Sequence, residues 1–150
     1  LSKADQLKLW DNLDLIDVIS TDHAPHTLEE KYDKSFPKFG VPGLETALPL
    51  MLSAVDKGLV TLERLIAMMN TNPKRIFSLS EQPDTHVEVD LSKKYQISNK
   101  DLFTKCGWTP FMGMMSIGKV KKVVIRGKTV FLDGKFVGEP QGQIISPVFP

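Results

Sequence analysis

Among the 150 residues, the types and spacing best able to do chemistry lie in Asp22-His23-Ala24-Pro25-His26, directly after the apolar run Leu15-Ile16-Asp17-Val18-Ile19-Ser20-Thr21. A carboxylate such as Asp22 can hold a divalent metal through one oxygen and carry a proton on the other, which amide hydrolysis requires. Spacing alone allows Asp22 equally to cap the loop that follows, and both readings stand at this point. His23 and His26 are three apart across a proline, so they do not share a face as they would on a helix. Histidines so placed are more often satisfied structural residues than metal ligands.

The elements around this cluster must hold it in place. A continuous apolar run suits a strand of a parallel sheet buried on both faces, and barrel enzymes carry their reacting groups at the C-terminal ends of such strands. Ahead of the run, residues 2–12 space their apolar positions as a helix does, with Ser2 as N-cap. Residues 29–43 mix charge with Pro37, Gly40, Pro42 and Gly43 and predict a long loop of the functional kind. Residues 44–55 predict a helix with Pro49 near its first turn or kinking it, and Gly58 as its stop. Thr61 caps a second helix with Leu62, Leu65, Ile66 and Met69 on one stripe, and Asn72-Pro73 opens a third as N-cap and first helical residue.

The pattern changes after Leu79. A polar linker at 81–84 leads to period-two alternation over residues 86–91. Strands at 119–126 and 129–132 are expected to be joined by Gly127-Lys128, with Asp133-Gly134 as a second tight turn. This part is a small antiparallel β unit.

Composition narrows the function classes. With 41% hydrophobic residues the chain can bury an ordinary core, and a net charge of +1 with interspersed signs gives no field to gather nucleic acid or anionic lipid. Lys119, Lys121, Lys122, Arg126 and Lys128 are expected mostly to face water on a strand, without interleaved stacking aromatics until Phe131. A single Cys106 admits no internal disulfide, which fits a cytoplasmic protein, and with no second cysteine or nearby histidine it carries no reactive role. The methionines at 112, 114 and 115 read as packing or flexible filler. No apolar run reaches the roughly 18 residues of a membrane span, and neither a signal peptide nor a membrane anchor is expected. Leu1 is not a methionine, and the chain is expected to begin mid-protein.

Three separate stretches, in order, carry a resemblance: residues 18–31 (Val-Ile-Ser-Thr-Asp-His-Ala-Pro-His-Thr-Leu-Glu-Glu-Lys), residues 41–46 (Val-Pro-Gly-Leu-Glu-Thr) and residues 108–111 (Trp-Thr-Pro-Phe). Together they resemble the C-terminal third of dihydroorotases of the amidohydrolase superfamily. The likeness is greatest to the domain that animals fuse with carbamoyl-phosphate synthetase and aspartate transcarbamoylase, and it runs from about residue 1 to residue 142. It implies an α/β fold: the C-terminal portion of a (β/α)8 TIM-type barrel, with its last strand and helices in residues 1–80. A linker and the C-terminal strands of a small flanking β-sandwich then fill residues 81–150.

The same resemblance implies the chemistry. Two zinc ions hold a bridging hydroxide that attacks the ring amide of dihydroorotate, and Asp22 binds one metal and carries the proton to the leaving nitrogen. His26 contacts the substrate carboxylate, and backbone near Phe39 and Gly40 holds the pyrimidine ring. The implied partners are a small-molecule substrate, a homo-oligomer and the two neighbouring enzyme domains, with neither nucleic acid nor membrane. The family's His-x-His pair, carbamylated lysine, two further metal histidines, and substrate-binding arginine and asparagine are expected upstream of Leu1. A catalytic zinc needs about three protein ligands and Asp22 supplies one, so the isolated chain is expected to be inactive. The competing readings are an inactive dihydroorotase-like scaffold domain, or a related dihydropyrimidinase or allantoinase. A histidine at position 26 favours an acidic substrate over the last two.

Overall fold

The computed structural model describes residues 2–148; residues 1, 149 and 150, which close the two expected units, lie outside the described residues. Helix α1 (Lys3–Asp11) starts at the predicted N-cap, where Ser2 and Asp5 form a reciprocal capping box. After a 3₁₀ turn at Leu13–Leu15, residues 16–21 run on to Asp22 without forming a strand. The expected strand is thus corrected to a segment without a ladder, because no neighbouring strand lies beside it among the described residues. Its bonds go instead to the helices behind it. Ile19 N–H donates to the Met68 carbonyl at 3.2 Å. Arg64 donates to the carbonyls of Leu13 and Ile16 at 2.6 and 2.9 Å, and the Asn72 amide donates to the Asp17 carbonyl at 2.8 Å.

The expected loop at 29–43 contains one helical turn, α2 (Leu28–Lys31), fixed by a second capping box between Thr27 and Glu30. Helix α3 (Leu44–Asp56) carries Pro49 inside it. Thr61 caps α4 (Leu62–Ile66) as expected, through a bond from Arg64 N–H. A π turn (Ala67–Thr71) then runs straight into α5 (Asn72–Ile76), so Asn72 is not an N-cap and its side chain is spent on Asp17 instead. The predicted stripe changes with it: Leu65 and Met68 are buried, while Leu62 and Ile66 are exposed.

Strands β1 (His86–Gln96), β2 (Met115–Ile125), β3 (Lys128–Leu132) and β4 (Lys135–Phe136) form one antiparallel sheet in chain order. The β2–β3 link is Arg126-Gly127 rather than Gly127-Lys128, since Ile125 pairs with Lys128 and both link residues have positive φ. The Asp133-Gly134 turn falls where expected, between Leu132 and Lys135.

Helix α3 packs on β2, and one apolar cluster joins Leu52 of α3, Leu65 of α4 and Ile117 of β2. A second cluster around Ala54, Val60 and Met68 takes in Trp10, Ile16 and Ile19 from the N-terminal segments. The seam between α3 and β2 also holds a buried hydroxyl. Ser53 Oγ donates to the Pro49 carbonyl at 2.8 Å and accepts from Ile117 N–H at 3.0 Å, with Ser116 Oγ at 3.1 Å. Among the described residues, no helix is long and apolar enough to cross a membrane.

Candidate functional site

Asp22 closes the extended segment with φ of 43°, in the left-handed region, and its side chain is exposed. Aspartate enters this region more readily than most side chains, and Ser78, Arg126 and Asp133 share it, so the backbone here marks a sharp turn. The residues on either side of this turn are fixed by neighbours. His23 makes a parallel bridge with Val41, and Ala24 N–H donates to the Val41 carbonyl at 3.1 Å. Loop 38–41 approaches so closely that a Cβ on Gly40 would lie 2.3 Å from that of Ala24, at a φ of 100°. No side chain fits at Gly40.

His23 has a structural task. The N-cap of α3 is Gly43, which has no side chain to satisfy the first free amides of the helix. His23 Nδ1 does so from across the loop, accepting from Gly43 N–H at 3.0 Å and Leu44 N–H at 3.3 Å. The ring and the helix start thereby fix one another.

His26 is part-exposed, with Nδ1 3.6 Å from Glu30 Oε2. The Glu30 carboxylate accepts from Thr27 N–H at 2.8 Å. That bond, opposed by partial desolvation and helped by the Thr27 hydroxyl and the nearby His26, holds Glu30 below the ordinary carboxylate range. The carbonyl of His26 accepts from the indole Nε1 of Trp108 at 2.8 Å. Lys31 Nζ lies 5.7 Å from the centroid of that indole and donates to the carbonyls of Gly40 at 2.6 Å and Lys38 at 3.2 Å. Phe39 is 85% exposed. His26 and Gly40 are therefore brought to a common Lys31–Trp108 pair, and Asp22 ends the extended segment beside His23.

Sequence reasoning gave no role to three residues here. Lys31 and Trp108 lay within the quoted motifs but without a task. Glu45 accepts from Phe103 N–H at 2.8 Å and Thr104 N–H at 2.7 Å, tying the start of α3 to the segment that carries Trp108. The only available signal for Lys31 and Trp108 was their presence in conspicuous motifs.

Among the described residues, no group of three or more His, Cys, Asp or Glu side chains could hold a metal ion. The residues present do not by themselves fit a metal centre.

No family model matches the chain. Among solved structures, L-hydantoinase (dihydropyrimidinase) from Arthrobacter aurescens matches with a TM-score of 0.88 at 30% identity, covering 97% of this chain and 36% of that one. The inactive dihydroorotase-like domain of the Chaetomium thermophilum CAD-like multifunctional protein matches with a TM-score of 0.71 at 30% identity, over 93% of this chain and 39% of that one. The segment ending at Asp22, the helices behind it and the flanking sheet are thus the C-terminal portion of an amidohydrolase barrel protein.

Sequence relatives narrow the class. The chain is 56% identical over 131 residues to multifunctional protein pyr1-3 of Dictyostelium discoideum, covering 87% of this chain and 6% of that protein. It is 41% identical over 150 residues to the dihydroorotase of Pyrococcus furiosus, covering 96% of this chain and 36% of that protein. The chain thus matches the C-terminal part of dihydroorotases over most of its own length. It spans about a third or less of the length of these relatives.

Proposed function

We propose that this chain is the C-terminal portion of a zinc-dependent dihydroorotase, which interconverts N-carbamoyl-L-aspartate and dihydroorotate in pyrimidine synthesis. The observation that carries the proposal is Asp22, an exposed carboxylate held on a left-handed backbone at the end of the extended segment. When the ring amide opens, its C–N bond breaks and the nitrogen needs a proton as it leaves; Asp22 is the group assigned to deliver it. His26 meets the substrate carboxylate, and backbone around Phe39 and Gly40 holds the ring.

Asp22 would hold one zinc ion of the complete protein, and the metal would supply Lewis-acid chemistry there. A catalytic zinc needs about three protein ligands, and the others would come from parts of the protein outside this chain. Sequence relatives favour dihydroorotate, with 41% identity to the dihydroorotase of Pyrococcus furiosus, whereas the solved hydantoinase and dihydroorotase-like domain stand level at 30%. An inactive scaffold is a second reading, favoured by the likeness to the inactive fungal domain. Asp22 and His26 both being present weighs against it. Fusion with carbamoyl-phosphate synthetase and aspartate transcarbamoylase, a homo-oligomeric state and a cytoplasmic location complete the proposal.

In a protein of the relatives' full length carrying this chain, Asp22→Asn is expected to lower dihydroorotate turnover by about 10²- to 10⁴-fold. Near-normal turnover by that variant would sink the assignment of Asp22, and inhibition by hydantoin but not orotate would move the substrate to the hydantoinase class. The purified 150-residue chain is expected to carry no stoichiometric zinc and to turn over nothing. Bound zinc with activity would overturn the ligand argument.

A further inference from the structure

We infer that Trp108 and Lys31 are a positioning pair for the substrate side of the site, acting on His26 and on loop 38–41 together; this rests on the dihydroorotase reading above. Trp108 comes from the segment between β1 and β2, 82 residues beyond His26, and is 8% exposed. Its ring is held by what surrounds it rather than by its own strand. The Glu45 carboxylate accepts hydrogen bonds from Phe103 N–H and Thr104 N–H, and Asn99 Oδ1 accepts from Thr109 N–H at 3.1 Å, so the segment is fixed on both sides of the indole. From that anchorage Nε1–H reaches the carbonyl of His26 itself.

Lys31 completes the arrangement. Its ammonium lies near the face of the indole and donates to the carbonyls of Lys38 and Gly40. One cation therefore joins the Trp108 ring to the loop whose backbone the reading assigns to the substrate ring. A buried N–H aimed at a carbonyl sets where a backbone sits, and a cation shared by two carbonyls sets a loop height. Neither residue touches a reacting atom. Their effect is to fix the distance between a carboxylate-binding side chain and a ring-binding loop that belong to different turns of the chain.

The test uses the full-length protein and steady-state hydrolysis of dihydroorotate. Trp108→Phe keeps most of the ring and deletes the N–H, and is expected to raise KM about five- to tenfold, the worth of one buried hydrogen bond, with kcat within about twofold. The readout that a merely structural role would not move is a double-mutant cycle: in a His26→Ala background, Trp108→Phe adds less than about twofold to KM. Lys31→Met keeps the stem and removes the ammonium, is expected to raise KM by a similar factor, and decides the matter if Trp108→Phe does not fold.

Unchanged KM in both variants, or full additivity with His26→Ala, overturns the positioning role while leaving the enzyme assignment intact. A wild-type protein that binds zinc yet turns over no dihydroorotate overturns the assignment itself, and the positioning role with it.

Discussion

Two regions of this molecule meet their backbone hydrogen-bonding needs in opposite ways. The β unit is self-sufficient: β1 to β4 pair in chain order, and each strand's partner is its neighbour in sequence. Residues 16–26 have the apolar composition of a strand, yet their bonds run to side chains and carbonyls of α4, the π turn, α5 and loop 38–41. The difference teaches that a central barrel strand is defined by strands on either side of it, which are not among the described residues, whereas a meander carries its own definition. The proposed chemistry sits on the dependent region, and the self-sufficient one reaches over to brace it.

The largest expected effect that tests this contrast is in hydrogen exchange of the 150-residue chain. Amides of the central β2 pairings, such as Val123 and Val124, are expected to exchange at least about a thousandfold more slowly than those of Val18 and Ser20. Equal protection would mean that the extended segment is as stable alone as the sheet. Next in size is Gly118, buried in β2 at φ of 85°, where a Cβ would stand 2.4 Å from Leu52 Cδ1. Gly118→Ala is expected to cost about 1–3 kcal/mol in urea unfolding, with the midpoint lowered and the slope unchanged, because the helix must back away from the sheet.

The smallest effect lies in the site loop. Thr27→Ala removes one side of the α2 capping box and is expected to cost about 1 kcal/mol of local helix stability. Glu30 reports on the same box. Its folded pKa lies below its ordinary value of 4.5, so its contribution is complete above that value and is lost as the pH falls through the depressed one. An NMR titration of Glu30 is expected to give a midpoint below 4.5, held there mainly by the Thr27 backbone N–H, which Thr27→Ala keeps; a midpoint at or above 4.5 would mean that this capping bond is not made.

How much of this was legible in the sequence follows the same division. Ser2, Thr27 and Thr61 act locally on amides three residues ahead; Ser2 and Thr61 were read directly as caps. The β2–β3 turn was displaced by one residue because its setting is tertiary: Arg126 N–H donates to Thr85 Oγ1 at 3.0 Å and Gly127 N–H to the Asp84 carbonyl at 2.8 Å. The fusion of α4 to α5 was hidden because Asn72-Pro73 is also good helix-start chemistry, and only the Asp17 carbonyl claims the Asn72 amide elsewhere. Asp22 could be singled out from its place after an apolar run, but no local signal shows an indole from residue 108 arriving at the carbonyl of residue 26.

The Ser53 hydroxyl between α3 and β2 has a mechanical consequence. A seam of methyl groups alone lets a helix creep along a sheet in small increments, since carbon has no preferred partner. Ser53 bonds at once to its own helix at Pro49 and to the strand at Ile117, so sliding would break a buried bond before a new one could form. Sheet and helix therefore travel as a single lever, and the far end of that lever is the start of α3, where Gly43 and Leu44 grip the imidazole next to Asp22.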